Sequence, residues 1–430
     1  MQLPAPTKAE VSAMSPTRMW RPWSPVSQPA PVTIVRARGC QVRDENGNWY
    51  LDGISGALNV SCGHGHPRLI EAAMRQINEL SHYDLTNASH PLAEALAARL
   101  ADLLPDPLGP TLLLNSGSEA VEAAIWIAHE YWRNLGEPRD RVITFELGYH
   151  GSTSLARHLS GLPHVQTGWS APFQVDRVSL PGDARSVRFP ENAEMLLAGF
   201  ERLLNGARPA AAVLVEPLLN VGGGIVLPPG LLAGLRALCH RTGTLLIIDE
   251  VFCGFGRTGR MFGFEHDGIT PDIVAMSKGI SSGYVPLAAV TTTQEIHASF
   301  TAEPLIQGLR YGHTTGGHAV AAAVAMAVID VITEDGLVAN AAARGAALLA
   351  QLQKLETDSR VTDVRGLGLV TVVETDHPDV ATAAVAMARR SGVLVRQQGT
   401  NIMICPPLPL DADQAAEIGD CLLGAFSQIY

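Results

Sequence analysis

The sequence predicts an α/β protein, and three features of the chain support this prediction. Short apolar runs alternate with amphipathic stretches through the middle of the 430 residues, a rhythm typical of a mostly parallel sheet covered by helices on both faces. The alanine-rich stretch Ala319–Val331 favours a helix, because alanine has the highest helix propensity. After about Asp335 the order changes to a helix, strands and a final helix, which indicates a smaller C-terminal domain.

The elements can be assigned in chain order. The first thirty or so residues are rich in proline and serine and are interpreted as an arm. Two short strands are expected between Thr33 and Asp52, around the turn Asn46-Gly47. Buried strands are predicted at Thr111–Leu114, Val142–Phe145, Ala211–Val215, Leu245–Ile248 and Ile273–Met276. The clearest amphipathic helices between them are Glu119–Asn134 and Leu231–Arg241.

Composition and charge exclude several classes of protein. Apolar residues make up 47% and charged residues 17% of the chain, which indicates a packed globular protein. The net charge of −11 argues against nucleic acids and anionic membranes as partners. No apolar run reaches the roughly 18 residues of a membrane span, and the N-terminus lacks a signal-peptide pattern. Because the six cysteines are scattered, we expect a cytoplasmic protein without disulfides.

A metal site is not expected. His64 and His66 lie in the sequence GHGHP, and the glycines and proline around them are typical of a turn. Two histidines with this spacing and no neighbouring acidic residue in the sequence do not make a zinc site.

The segment Leu114–Ala120 follows a predicted strand and opens a predicted helix. Gly117 allows a tight turn, and Ser118 with the first free N–H groups of the helix can hold an anion. The alternative interpretation is an ordinary helix N-cap, since Ser and Glu are common at helix starts. This segment alone does not decide between the two.

Two apolar strands each end in a carboxylate. Asp249 closes one of them, and Glu216 follows the other. The carboxyl ends of parallel strands form the edge at which such folds bind ligands, although a lone aspartate there is more often a cap. The glycine-rich residues 251–259 that follow predict a tight loop.

Only three lysines occur among the 31 basic residues, so any chemistry that needs a primary amine has three candidates. Lys8 lies in the arm, and Lys354 lies on the polar side of the amphipathic run 346–356. Lys278 follows a strand and precedes a loop of small residues. An amine at this edge, near Asp249 and an anion site, is what a Schiff-base enzyme requires.

At this point the motifs resemble a known family. NSGSEA, Tyr149-His150-Gly151, Glu216-Pro217, IDEVFCGFGRTG and SKGISSGYVPL occur in the order found in class III pyridoxal-phosphate-dependent aminotransferases of fold type I. The resemblance extends from about Trp20 to Pro409. It implies a large domain with a mostly parallel sheet and a smaller α+β domain built from both chain termini. The expected limits are 1–65 for the arm and part of the small domain, 66–334 for the cofactor-binding domain and 335–430 for the C-terminal domain.

The resemblance also implies roles around pyridoxal 5'-phosphate. Lys278 would form the internal aldimine and shuttle a proton, and Asp249 would pair with the pyridine nitrogen. Tyr149 would stack on the ring and Val251 would pack on its opposite face. The other expected cofactor contacts are Ser116, Gly117, Ser118, His150 and Glu216.

Thr314, in the sequence GHTTGGH, matches the family's threonine that reaches the phosphate of the neighbouring subunit. The resemblance therefore implies a homodimer with shared active sites.

The substrate pocket departs from the two subgroups that the chain resembles, the ω-aminotransferases and the diaminopelargonate aminotransferases of biotin synthesis. Arg396 matches their carboxylate-binding arginine. Both subgroups usually carry one or two tryptophans where this chain has Ala57 and Leu58, which predicts a larger pocket and a bulky or specialised ketone or aldehyde. Trp20 and Trp23 are expected to supply aromatic walls, with Tyr149 beside them. Asn220-Val221 replaces the usual Gln-Gly, a change that the sequence does not explain.

The expected activity is the transfer of an amino group from a small-molecule donor to a carbonyl acceptor by a ping-pong mechanism. One alternative is the biotin-pathway enzyme, which the segments 90–100 and 372–378 resemble. Another is a racemase or decarboxylase on the same scaffold. A noncatalytic binding protein is the least favoured alternative, because the residues of the expected site are all present.

Overall fold

The computed structural model describes residues 18–26, 30–166, 168 and 171–429. Most of the proline-rich arm, including Lys8, therefore lies outside the described residues. No helix in the described part of the chain is long and apolar enough to cross a bilayer.

The described elements agree with an α/β protein. The strands, numbered β1 to β17, are Ile34–Arg38, Gln41–Asp44, Trp49–Asp52, Leu108–Leu114, Arg141–Phe145, Gln174–Val178, Ala212–Val215, Leu218–Leu219, Ile225–Val226, Leu245–Asp249, Ile273–Met276, Ala288–Thr293, Val361–Gly366, Thr371–Thr375, Val393–Leu394, Arg396–Gln398 and Asn401–Ile404. The helices, numbered α1 to α13, are Ser55–Leu58, Pro67–Glu79, Pro91–Leu103, Gly117–Asn134, Ser154–Leu159, Ala184–Val187, Glu191–Leu204, Leu231–Thr242, Gln294–Ser299, Ala319–Glu334, Leu337–Leu352, Pro378–Arg390 and Ala412–Gln428.

A seven-stranded sheet forms the centre of the molecule, with the strand order β4-β12-β11-β10-β7-β5-β6. Strand β12 is antiparallel to both of its neighbours, β4 and β11, and the other pairs are parallel. Both faces of the sheet are buried. In β10, Leu246 and Ile248 belong to one hydrophobic cluster, whereas Leu245 and Ile247 belong to another on the opposite face. The predicted mostly parallel sheet with two covered faces is confirmed.

Strands β6 and β12 are parts of the sheet that were not named in the sequence analysis, and β12 is the one that lies in its interior. Its residues, Ala288–Thr293, are all buried. Only a short loop and the 3₁₀ turn Lys278–Ile280 separate it from β11, and this connection contains no α-helix. A parallel neighbour would need a crossover of a dozen or more residues, usually helical. The short connection therefore turns β12 back against β11.

Strands from both ends of the chain form the smaller part of the molecule. β1, β2 and β3 form an antiparallel meander, and β15 adds to β3 in parallel, with Val393 opposite Leu51. A second sheet has the order β13-β14-β17-β16. The small domain is thus built from both termini, as the family resemblance implies. Strands β2 and β3 flank the Asn46-Gly47 turn, and β1 is a third strand in this region. The domain limits near residues 65 and 335 remain predictions.

The central sheet brings the motif residues to one edge. β4, β5, β7, β10 and β11 share one direction, so their carboxyl ends meet. The loops that follow them contain the motif residues Gly117, Tyr149, Glu216, Val251 and Lys278.

Candidate active site

A cavity of about 470 Å³ opens at the carboxyl edge of the central sheet. Its wall includes residues that follow the central strands, such as Lys278 and Glu216, and residues of the small domain, such as Leu58 and Arg396. A cavity between a rigid sheet edge and a second domain is a common location for ligand binding.

The buried amine of Lys278 lines this cavity, two residues after the end of β11. Its backbone has a φ of 43°, in the left-handed region that residues with side chains rarely adopt. The neighbouring Ser277 holds the loop in place, because its Oγ donates to the carbonyl oxygen of Leu287 at 2.9 Å. Burial lowers the pKa of the Lys278 ammonium, which nearby carboxylates only partly oppose. More of this amine is therefore neutral and nucleophilic than in an exposed lysine.

Asp249 is the second charged group at the sheet edge, and His150 holds it in place. His150 Nδ1 lies 2.8 Å from Asp249 Oδ2, and the backbone N–H of Val251 donates to Oδ1 at 3.1 Å. Thr144 Oγ1 lies 3.0 Å from His150 Nε2. With the Nδ1 proton directed at the carboxylate, Nε2 accepts from the Thr144 hydroxyl. The carboxylate is thereby fixed in orientation.

The N-terminus of α4 borders the same cavity. Ser116 is the N-cap, and its Oγ accepts from Glu119 N at 3.3 Å while Glu119 Oε2 accepts from Ser116 N at 3.0 Å. This capping box explains why α4 begins at Gly117, two residues before the predicted start. The N–H groups of Gly117 and Ser118 have no acceptor among the residues that the structure describes, so they can bind an anion in the favourable field of an 18-residue helix.

Gly117 is required by close packing. A Cβ atom at this position would lie 2.7 Å from Cγ1 of Val251, which lines the cavity. The absence of a side chain thus lets the helix N-terminus approach the loop after β10. Ser118 also borders the cavity, and its Oγ accepts from Ser152 N at 3.0 Å.

Glu216 is buried in the wall between Tyr149 and Asn220. Its carboxylate accepts from Tyr149 N at 2.9 Å and from Asn220 N at 3.3 Å. Burial, with a smaller contribution from Asp249, raises the pKa of Glu216 to about 7. The carboxyl group therefore joins the loops after β5 and β7 and can hold a proton near neutral pH.

The outer part of the cavity differs in character from the inner part. Ala57, the buried Leu58 and the exposed Arg396 all line this part of the cavity. Arg396 pairs with Met403 through the backbone of β16 and β17, whereas its guanidinium has no ion pair or hydrogen bond with any residue that the structure describes. Trp23 lines the cavity, and its ring meets His164 edge-on at a centroid distance of 6.3 Å. The outer cavity thus combines apolar surface with one available guanidinium group.

Three of the predicted site residues lie outside the cavity wall. Trp20 is 85% exposed, Ser116 is engaged in capping α4, and Thr314 is exposed on the protein surface. The Thr314 carbonyl oxygen lies 2.8 Å from His82 Nε2, and Thr315 Oγ1 donates to Asn115 Oδ1 at 3.0 Å. The loop that carries Thr314 is thus anchored beside the N-terminus of α4 with its threonine facing outward. Lys354 is exposed on the 3₁₀ helix Gln353–Thr357.

The structure adds residues that sequence reasoning missed. Phe252, His164, Val165 and Gln398 line the cavity. The place of Gln398 in the cavity wall could have been inferred, because residues i and i+2 of a strand share a face and Arg396 lies two residues earlier. His164 lies in a loop far from any motif, and no sequence signal indicated it.

The interpretation of the GHGHP turn needs one correction. His64 does have an acidic partner in space, because its Nε2 lies 2.8 Å from Asp52 Oδ2. Asp52 is distant in sequence and is brought close by β3 and the isolated bridge between Gly39 and His64. Within the described ranges, no group of three or more His, Cys, Asp or Glu residues is arranged to hold a metal ion.

The chain is similar to a well-defined set of proteins. The family model described as aminotransferase class-III matches residues 23–426. An adenosylmethionine-8-amino-7-oxononanoate aminotransferase of Geobacter sulfurreducens is 34% identical over 421 residues, which is 92% of this chain and 92% of the relative.

Solved structures of transaminases are also similar to this chain. An (S)-enantioselective omega-transaminase from Thermomicrobium roseum has a TM-score of 0.89 and 34% identity, covering 95% of each chain. A thermostable omega transaminase with a tryptophan-to-glycine substitution, engineered for the asymmetric synthesis of enantiopure bulky amines, has a TM-score of 0.90 and 31% identity. The match covers 95% of this chain and 96% of the variant.

Proposed function

Because the chain belongs to the class III aminotransferases, whose cofactor is pyridoxal 5'-phosphate, we propose that it transfers an amino group from an amine donor to a bulky ketone or aldehyde in two half-reactions. The observation that carries the proposal is the convergence of three groups in one cavity. The Lys278 amine, the Asp249 carboxylate and the free N–H groups of α4 all lie there.

The residues fit the cofactor at both of its ends. When bound, pyridoxal phosphate supplies an aldehyde that reacts with amines and a ring that accepts the electron pair of a carbanion. Gly117 and Ser118 would hold the phosphate at the helix N-terminus, where a Cβ atom on Gly117 would collide with Val251. Asp249, oriented by His150, would hold a proton on the ring nitrogen.

The proton transfer is assigned to Lys278. Its pKa is lowered by burial, so the amine can accept a proton from the substrate carbon and return it to a neighbouring carbon. Tyr149 and Val251 would enclose the two faces of the ring, and Glu216 would close the wall beside Tyr149. These side chains would exclude water from the reacting atoms.

We place the second phosphate contact in a partner subunit. Thr314 is exposed and lies outside the cavity of its own protomer. Its loop is nevertheless anchored at Asn115, beside the helix N-terminus. A homodimer in which Thr314 reaches the neighbouring cavity accounts for this arrangement.

The six unpaired cysteines suit a reducing compartment, and we assign the enzyme to the cytoplasm.

The bulky substrate is supported by the outer wall. Ala57 and Leu58 stand where the resembled subgroups carry tryptophan, and both line the cavity. The engineered omega transaminase for bulky amines likewise lacks one tryptophan. The unpaired Arg396 would bind a carboxylate on those substrates that have one. Trp23 would add an aromatic wall.

A biotin-pathway role is the second candidate, favoured by the similarity to the Geobacter sulfurreducens enzyme. That relative is named for adenosylmethionine and 8-amino-7-oxononanoate. Turnover with this donor and acceptor, exceeding turnover with all bulky ketones, would support the biotin pathway and contradict our proposal.

The experiment that tests the proposed reaction is a single half-reaction. The holoenzyme is mixed with an amine donor, and the loss of the visible absorption of the enzyme-linked cofactor is followed. Only transamination leaves pyridoxamine phosphate, which chromatography identifies. Racemisation or decarboxylation without this product would contradict the proposal.

A panel of acceptors tests the enlarged pocket, with Ala57→Trp as the comparison variant. An indole at this wall fills space, so we expect kcat/KM to fall about tenfold or more for bulky ketones and much less for pyruvate. Strict preference of the wild-type enzyme for pyruvate would contradict a bulky substrate.

A further inference from the structure

The short helix α1 carries the wall residues Ala57 and Leu58 on a strained backbone. Ser55 has a φ of 47° and Leu58 a φ of 63°, both in the left-handed region, and Gly56 between them has a φ of 66°. A residue with a side chain keeps such a conformation only where the surrounding contacts impose it. Because Ala57 and Leu58 both line the cavity, the contacts that impose the strain also set the shape of the cavity.

Asp52, the last residue of β3, supplies one set of these contacts. Its Oδ1 accepts from Ile54 N at 3.2 Å, and its Oδ2 accepts from Gly56 N at 2.7 Å. Ser55 is fixed separately, since its Oγ donates to the carbonyl oxygen of Cys405 at 2.5 Å. The Asp52 side chain is only 2% exposed, so the orientation of its carboxylate depends on protein partners.

His64, in the GHGHP turn, holds this carboxylate. Its Nε2 lies 2.8 Å from Asp52 Oδ2, the same oxygen that accepts from Gly56 N. Since a carboxylate can only accept, the imidazole carries a proton on Nε2. The backbone of His64 is fixed in turn, because it exchanges two hydrogen bonds of 2.8 Å with Gly39. A continuous set of hydrogen bonds therefore runs from this turn to the start of the substrate wall.

We propose that His64 is a positioning residue that acts through Asp52 and keeps Ala57 and Leu58 in the conformation that shapes the substrate cavity. Neither His64 nor Asp52 belongs to the cavity wall that the described residues form. The inference rests on the proposed aminotransferase function and deepens it. Space for a bulky carbonyl compound then depends on this pair as well as on the absence of tryptophan. A small acceptor such as pyruvate contacts little of the wall and does not depend on it.

The test measures the acceptor ratio of the holoenzyme, which is kcat/KM for propiophenone divided by kcat/KM for pyruvate. His64→Leu removes the N–H donor at similar volume. His64→Gln places an amide N–H group near the position of the ring Nε2. His66→Ala is the matched control, because His66 belongs to the same turn but its ring lies 3.9 Å from Asp335 and does not contact Asp52.

We expect His64→Leu to lower the acceptor ratio about fivefold or more, because a displaced wall affects the substrate that contacts it. His64→Gln should restore most of the ratio, and His66→Ala should leave it unchanged. An unchanged ratio in His64→Leu, or an equal fall in the two histidine variants, would overturn the proposal. Lower stability without a change in the ratio has the same meaning, since it shows a structural role alone.

A double-mutant cycle tests whether His64 acts through Asp52. Asp52→Asn removes one of the two acceptor oxygens and should lower the acceptor ratio as His64→Leu does. The variant with both substitutions should fall no further, because both changes break the same contact. Additive effects would contradict the proposed route. Asp52→Asn also carries the test if His64→Leu does not fold.

Hydrogen exchange tests the same link without a substrate. His64→Leu should speed the exchange of the amide hydrogens of residues 54–58, followed by mass spectrometry, whereas His66→Ala should not. Unchanged exchange in His64→Leu would contradict the role of His64. So would a shift in the visible absorption of the bound cofactor, because it would place the effect at the cofactor.

The outcomes also separate this inference from the proposed function. If the wild-type enzyme transfers no amino group to any acceptor, the proposed function fails. If it transfers amino groups but His64→Leu leaves the acceptor ratio and the exchange of α1 intact, only the inference about His64 fails.

Discussion

Lys278 combines a strained backbone with a buried amine. A left-handed φ at a residue with a side chain costs about 1 to 3 kcal/mol, and such strain is concentrated at functional sites. With this backbone conformation the amine lies in the cavity beyond the end of β11, where burial lowers its pKa. The backbone conformation and the chemistry of this lysine are therefore linked.

Lys278→Ala should abolish the visible absorption of the enzyme-linked cofactor and reduce turnover by at least about a thousandfold, because both the covalent attachment and the proton transfer are lost. Absorption spectra and steady-state kinetics measure the two effects. Lys354→Ala, on an exposed 3₁₀ helix, is the matched control and should retain both, as should Lys8→Ala. Cofactor attachment in Lys278→Ala would refute the assignment.

Glu250 is the fully buried neighbour of Asp249 and accepts from the N–H groups of Gly263 at 2.9 Å and Phe264 at 2.8 Å. Burial raises the pKa of Glu250 to about 8 from its ordinary value of 4.5. Between these two pH values the folded protein holds a proton that the unfolded chain has released. The contribution of Glu250 to stability is therefore full below pH 4.5 and is lost as the pH rises towards 8.

Glu250→Gln cannot titrate and should remove this pH dependence. We expect the Tm of the wild-type protein relative to Glu250→Gln to fall steadily between about pH 5 and about pH 8, as measured by calorimetry. Glu356→Gln, at an exposed position, is the control and should give a flat difference. A constant Tm difference for Glu250→Gln would show that Glu250 is ionised throughout.

Among the secondary structure elements, the glycine-rich loop after β10 depends on one buried arginine. Arg257 is 1% exposed and donates to the carbonyl oxygens of Leu369 at 3.2 Å and Pro406 at 2.7 Å and to Ser55 Oγ at 3.1 Å. The three acceptors lie before β14, after β17 and at the start of α1. A single guanidinium thus joins the large domain to both parts of the small domain.

Arg257→Met should lower the free energy of unfolding by about 2 to 4 kcal/mol, because it leaves these buried acceptors without donors. Urea denaturation followed by circular dichroism measures the change. Arg260→Met, on the exposed side of the same loop, should alter stability by less than about 0.5 kcal/mol. Equal effects of the two substitutions would contradict the bridging role of Arg257.

The elements also show what could be predicted from sequence. Lys278 and Asp249 could be placed near each other because both end strands of one direction, and parallel strands end at a common edge. The position of β12 in the sheet could not be predicted, because its antiparallel direction follows from a short connection whose small residues are like those of any loop. The position of His164 and the acidic partner of His64 depend on loop packing and long-range pairing, which leave no periodic pattern.

For the whole molecule, the shared site of a homodimer is the arrangement to test. Neither the Lys278→Ala enzyme nor the Thr314→Asp enzyme should turn over substrate efficiently. The first lacks the reacting amine, and the second would place a negative charge against the phosphate of the cofactor. In a mixed dimer, one cavity has both defects and the other has none. Coexpression of the two differently tagged variants, followed by isolation of the mixed dimer, should therefore restore turnover. No recovery in a verified mixed dimer would show that Thr314 serves its own protomer or no site.

The parallel pairing of β3 with β15 joins residues 51–52 to residues 393–394. A ribosome must therefore make more than nine-tenths of the chain before this pairing can form. The central sheet, whose strands end at Thr293, can assemble earlier, because shorter loops close at lower entropic cost. Ala57 and Leu58 lie in α1, which is a few residues after β3, and Arg396 begins β16, two residues after the end of β15. The substrate wall is consequently completed late in synthesis, after the Lys278 and Asp249 edge that it covers.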